Sequence, residues 1–144
     1  MKLSTGLRNG LLATNSLKSL MASGKIKIYS GTVPATADDA LGSATLLCTI
    51  DRSGSGINLD TTATGGTILK LGSETWSGVN GASGTGTFFR HVATSDTGVS
   101  STTEIRIQGT FGIAGCDMNR TAGATLTSAA TTTIDYYAVV LPTL

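Results

Sequence analysis

The apolar period of this chain changes once, near Gly24, and that change restricts the fold more than any single motif does. Before it, Leu3, Leu7, Leu11, Leu17 and Leu20 recur at mostly three- or four-residue steps, the spacing of one helical face, with Ser4 placed to cap the first turn. After it the period is two. Lys25-Ile26-Lys27-Ile28-Tyr29 alternates and stops at Ser30-Gly31, as a strand followed by a turn does. Further strand candidates follow at 44–50, 57–59, 67–71, 75–77, 85–93, 103–111, 125–127 and 132–141, parted by clusters of Gly, Ser and Asn. Within 103–111, Ile105, Ile107 and Phe111 alternate with Glu104, Arg106, Gln108 and Thr110, which predicts a strand with one buried and one wet face.

Many short strands with turns between them imply a sandwich or a barrel. No helix-period segment interrupts the strands after Gly24, which disfavours the parallel βαβ architectures. The absence of a repeat at fixed period argues against propellers and solenoids. The expected fold is all-β, an antiparallel, jelly-roll-like β-sandwich over residues 24–144, preceded over 1–23 by a short helix or extended arm.

The arm is expected to be marginal on its own, because Gly6 and Gly10 interrupt its helical face and each interior glycine costs about 1 kcal/mol relative to Ala. Such a segment orders against a partner, or else its leucines belong to the domain's own core. The five leucines Leu3, Leu7, Leu11, Leu17 and Leu20 are therefore candidate partner-binding residues, each worth roughly 1.5 to 3 kcal/mol when buried, before ordering costs.

Composition narrows the partner. Charged residues are 13% of the 144 and the net charge is +1, so no basic field gathers a phosphate backbone and nucleic acid is not an expected partner. Low charge also leaves little repulsion between copies, and a homo-oligomer, dimer or trimer, is expected. No apolar stretch approaches the roughly 18 residues of a membrane span. Leu11-Leu12-Ala13-Thr14-Asn15 turns polar too early for a secretory core, so a soluble protein made in a reducing cytoplasm is expected, with Cys48 and Cys116 as free thiols.

The residues that carry chemistry are sparse. His91, the single histidine, sits inside Phe88-Phe89-Arg90-His91-Val92 and reads as a strand residue, since a histidine-based site would have to recruit acids from elsewhere. Gly81-Ala82-Ser83-Gly84-Thr85-Gly86-Thr87 lacks the Gly-Lys-Ser/Thr ending of a phosphate loop and leads into a strand, so it reads as a turn. Asp38-Asp39 lacks the alternating acids of a calcium loop and reads as loop solvation. Asn119-Arg120-Thr121 matches a glycosylation acceptor, without consequence in a chain that is not secreted. Trp76 and the Tyr136-Tyr137 pair offer faces on which sugars stack, although packing is the expected use of so few aromatics. No catalytic set, metal site or cofactor is expected, and the chain does not read as an enzyme.

The run Gly24-Lys25-Ile26-Lys27-Ile28-Tyr29-Ser30-Gly31-Thr32-Val33-Pro34-Ala35-Thr36-Ala37-Asp38-Asp39-Ala40, followed by Leu46-Leu47-Cys48-Thr49-Ile50, resembles small structural proteins of tailed bacteriophages. The features that carry the resemblance are an Ile-Tyr-Ser-Gly strand end, a Pro-Ala loop with acidic residues and a Leu-Leu strand. The Thr/Gly-rich strands beyond agree in style only. Size and texture match the capsid cement or decoration proteins, which sit outside a capsid shell and brace neighbouring major capsid proteins. The resemblance implies a non-enzymatic virion protein, made in the bacterial host cytoplasm, located on the capsid surface and partnered by the major capsid protein. The alternative is a tail or neck component, or a receptor-binding, carbohydrate-binding module.

Overall fold

The computed structural model describes residues 1–141. In chain order the elements are β1 (Lys2–Leu3), α1 (Thr5–Ala13), α2 (Leu17–Leu20), β2 (Lys25–Ser30), β3 (Thr45–Ile50), β4 (Leu59–Thr64), β5 (Thr67–Lys70), β6 (Trp76–Val79), β7 (Gly84–Thr85), β8 (Phe88–Val92), β9 (Arg106–Gly112), β10 (Met118–Asn119), β11 (Thr125–Leu126), β12 (Thr131–Ile134) and β13 (Ala138–Val140). The chain is mostly strand with little helix, and its architecture is the expected all-β, sandwich-like one.

The largest sheet runs β1-β9-β8-β2-β3, antiparallel throughout, with β10 added beside β9 in parallel. Register places Ile26 opposite both Ile50 and His91, and His91 opposite Ile107, so these residues share one face with Ile28, Cys48 and Phe89. That face meets residues of the three smaller sheets: Trp76 and Ile134 from β6-β12, Leu59, Ile68 and Val139 from β13-β5-β4, and Leu126 from β11-β7, all in one buried cluster. β6 also touches the edge of β3 through bridges at Cys48–Asn80 and Asp51–Ser77, which curls the small sheets round the core.

The opposite face of the largest sheet is where the expectation of a wet surface is corrected. Arg106 is 0% exposed, Gln108 and Arg90 1% each. The β2–β3 connection folds back over them as a strap, and the loop after β8 closes the other side. Arg106 pairs with the Asp96 carboxylate through Nε and Nη2, and donates to the carbonyls of Ala37 (3.2 Å) and Val99 (2.7 Å). Arg90 donates to Gln108 Oε1 at 2.9 Å and to the Asp39 carbonyl at 2.8 Å, while Gln108 Nε2 reaches the Pro34 carbonyl at 2.8 Å. Lys27 Nζ donates to the Asp96 carbonyl at 3.0 Å. An irregular strap has carbonyls without sheet partners, and a guanidinium has five donors in a fixed fork, so each meets much of the other's need, although Arg90 Nη1 has no partner among the described residues. Tyr29 and Phe88 close this layer, their rings stacked at 5.0 Å.

The N-terminal segment, expected as a short helix or an extended arm, forms the helix α1 and is docked on the rest of the domain. β1 extends the largest sheet, with Leu3 opposite Ile107. Ser4 caps α1 as expected, accepting from Leu7 N, but its hydroxyl also accepts from Arg106 N at 3.0 Å and donates to the Glu104 carbonyl at 2.7 Å. Asp38 of the strap accepts from Thr5 N (2.8 Å) and Thr5 Oγ1 (2.6 Å). The two glycines that weaken the helix are what lets it dock. A Cβ on Gly6 would lie 2.3 Å from the Thr103 carbonyl oxygen, and one on Gly10 would lie 2.8 Å from a Leu20 methyl.

Gly6→Ala therefore has a sign that separates a docked helix from a free one. A free helix would gain about 1 kcal/mol from the substitution. Docked as here, the protein should lose roughly 1 to 3 kcal/mol, because backbone must shift to admit the methyl group. Urea unfolding of the two proteins reads the difference, and a stabilised variant would contradict the docking.

Candidate functional site

The groups best suited to chemistry lie inside the fold. His91, central on β8, is 0% exposed, with its ring edge-on to Tyr137 (5.5 Å) and Trp76 (6.4 Å) and Nδ1 3.2 Å from the Tyr137 hydroxyl. Burial pushes its pKa down to about 3, so the ring is neutral at ordinary pH. Cys48 is 1% exposed, and burial pushes its thiol up to about 11. Trp76 is fully buried and donates Nε1–H to Glu74 Oε2 at 2.8 Å, so it presents no stacking face.

Glu74 organises that corner of the core. Its carboxylate accepts from Trp76, from Asn58 N and Nδ2 (2.9 Å each) and from Arg52 (3.0 Å). Burial raises its pKa, but these bonds and the Arg52 charge outweigh it, and the carboxyl is held below the usual range. Asp38, expected to be a solvated loop residue, has its pKa lowered chiefly by the Thr5 hydroxyl and serves to tie strap to helix. Asp39 accepts from Thr36 N within the strap. Among the described residues, no three His, Cys, Asp or Glu side chains converge as a metal site would need.

The five leucines face the chain's own core. Leu7 belongs to the buried cluster at 0% exposure, and Leu3, Leu11, Leu17 and Leu20 pack against it half-buried. Leu12, which the helical spacing passes over, is the exposed one at 87%. Cys116, half-buried, donates its N–H locally to Asn119 Oδ1, and the turn at Gly81 is tied to β3 by Gly81 N donating to the Leu47 carbonyl.

Two of the concavities that the described residues form stand out. The smaller, about 280 Å³, is an apolar groove between α2 and the β13-β5-β4 sheet, lined by Leu17, Ala63, Ile68 and Val139. The larger, about 650 Å³, lies between β10 and β12, with Phe111, Asp135 and Tyr136 among its lining residues. The tyrosine pair divides there: Tyr137 is 6% exposed and packs on Trp76 at 5.7 Å, whereas Tyr136 is 74% exposed. Sequence reasoning weighed the pair as a unit. The burial of β12 alternates along Thr131–Ile134, so adjacent residues there point opposite ways, but three successive threonines show no such alternation in the sequence.

The buried histidine makes stability depend on pH in a defined window. Its folded pKa of about 3 lies below the ordinary value of 6.5, so the unfolded chain binds the extra proton between those limits. Stability is fully present above 6.5 and falls as pH drops, by up to about 1.4 kcal/mol per pH unit. The depressed carboxylates of Asp38, Glu74 and Asp117 lose their contribution only at lower pH. Urea unfolding at pH 5 and pH 7 should show this slope in the parent and a flat response in His91→Phe; equal slopes would contradict a histidine kept neutral by burial.

No protein-family model matches this chain, and no curated protein or solved structure matches it either.

Proposed function

We propose that this chain is a non-enzymatic structural protein of a bacteriophage virion, a cement that binds the outside of the capsid shell and braces neighbouring copies of the major capsid protein. The observation that carries this reading is that the single histidine, one of the two cysteines and the four charged side chains buried in the fold are turned inward. His91, Cys48, Arg90, Arg106, Asp96 and Glu74 are all buried and engaged in holding the fold together. What faces solvent is neutral, hydroxyl-rich and dotted with single apolar side chains, Leu12, Val79, Val99 and Ile113 among them. Such a surface suits close contact with protein across subunit joints.

The resemblance to small phage structural proteins falls on residues 24–50, which form β2, the strap and β3, the middle of the fold. A rigid body that repeats around a shell adds many weak contacts into a strong one, since each further attachment point is intramolecular once the first is made. Self-association into a dimer or trimer adds to the same effect. Within the N-terminal segment it is Leu12, 87% exposed, that the docked helix offers to the proposed contact surface.

Quantitative mass spectrometry of purified particles tests the proposal. A cement is present in fixed proportion to the major capsid protein, and particles lacking it lose their genome at lower temperature. Presence at a small handful of copies would assign the chain to the tail or neck, and absence from particles would refute a virion role.

A further inference from the structure

We propose that the cleft between β10 and β12 binds a neutral oligosaccharide, with the Tyr136 ring as its stacking face. The cleft is bounded by two strands each paired on one side only: β12 with β6, and β10 with β9. Its volume of about 650 Å³ falls within the roughly 300 to 1,000 Å³ of small-molecule sites. Ile28 and Phe111 lie beneath it as part of the buried core, which makes its base rigid.

Tyr136 is the side chain in this region that the fold does not explain. Its neighbour Tyr137 completes the core, while Tyr136 is 74% exposed in the lining of the cleft. An exposed tyrosine presents a flat apolar face for the C–H side of a sugar ring and a hydroxyl for its rim. The polar groups around it are of both kinds that vicinal hydroxyls need. The Asp135 carboxylate accepts, while Arg120 and Asn119 donate. Arg120 is held in position, Nη1 donating to the carbonyls of Ala122 (3.4 Å), Gly123 (2.7 Å) and Thr125 (3.3 Å). Asn119 Oδ1 accepts from Cys116 N at 3.0 Å, which orients the amide. Donors fixed before the ligand arrives bind it with less ordering cost.

Charge favours a neutral ligand. Asp117 and Asp135 share the lining with Arg120, so the cleft has no cationic field for phosphate. An extended peptide pairing with a free strand edge is the rival occupant, since β-augmentation needs only backbone. It gives no use to the Tyr136 ring.

The experiment uses the isolated full chain, so it fails or succeeds independently of any role in a capsid. Maltotriose, cellotriose and chitotriose are offered in turn, with saturation-transfer NMR for contact and calorimetry for affinity. At least one should bind, with transfer to its ring C–H protons. Tyr136→Ala should weaken that binding about tenfold or more at an unchanged melting temperature, and Tyr136→Phe should keep most of it. Failure of all three sugars to bind, or binding that survives Tyr136→Ala, would overturn the proposal. Loss of particle attachment in Tyr136→Ala without sugar binding would also overturn it and assign the ring to a protein contact.

Discussion

The buried pair of Arg106 and Asp96 is the interaction on which the second face of the largest sheet depends. A guanidinium at 0% exposure has no water to solvate it, so its charge must be met by the carboxylate and its remaining donors by carbonyls. Those carbonyls belong to Ala37 in the strap and Val99 in the loop after β8. Neither segment has a periodic apolar pattern of its own. Each is held because leaving Arg106 buried and uncompensated would cost about 3 to 5 kcal/mol, a large part of the 5 to 15 kcal/mol that a domain has in total. Arg90 follows the same logic one register position away, its pKa lowered by burial and by Arg106 beside it.

The dependence extends to the N-terminus. The Arg106 main chain is the donor to the Ser4 hydroxyl, so one residue of β9 fixes the helix cap with its backbone and the strap with its side chain. Asp38 then links strap to helix through Thr5. Apolar burial supplies most of the driving force, through Leu7 on one side and the Trp76–His91–Tyr137 cluster on the other. The polar contacts decide which loops cover which face. With 13% of its residues charged, the chain has few charges to place on its surface, which is the physical content of the proposed structural role.

The strands were legible because their alternation is a property of one strand and its own residues. The run 25–29 became β2, and 44–50 became β3 with one residue trimmed. Long runs were harder to divide: 85–93 splits at Gly86-Thr87 into β7 and β8, and 132–141 splits at Asp135-Tyr136-Tyr137. The two-residue strands β1 and β10 had no pattern to show, since pairing with β9 defines them. Alternation also cannot tell a polar face in water from one covered by a loop, and so Arg106 and Gln108 were placed outside. Gly6 and Gly10 misled in a similar way. Helix propensity counts the missing methyl as a loss, while the close approach to Thr103 and Leu20 makes its absence a requirement. Of the candidate site, the tyrosine pair was visible but not its division into one core and one surface ring.

Native-state hydrogen exchange tests the central claim most directly, because it reads whether the N-terminal helix, the strap and the largest sheet open together. If Arg106 joins them, amides of α1 that are bonded within the helix, such as Arg8 N to the Ser4 carbonyl at 3.0 Å, should exchange through the same opening as β2, β8 and β9. Ser4 N, bonded to the Arg106 carbonyl at 3.0 Å, should be among the protected amides. Exchange of these positions at the rate of an unstructured peptide, with β2, β8 and β9 still protected, would show that the helix is an independent arm and would contradict the account.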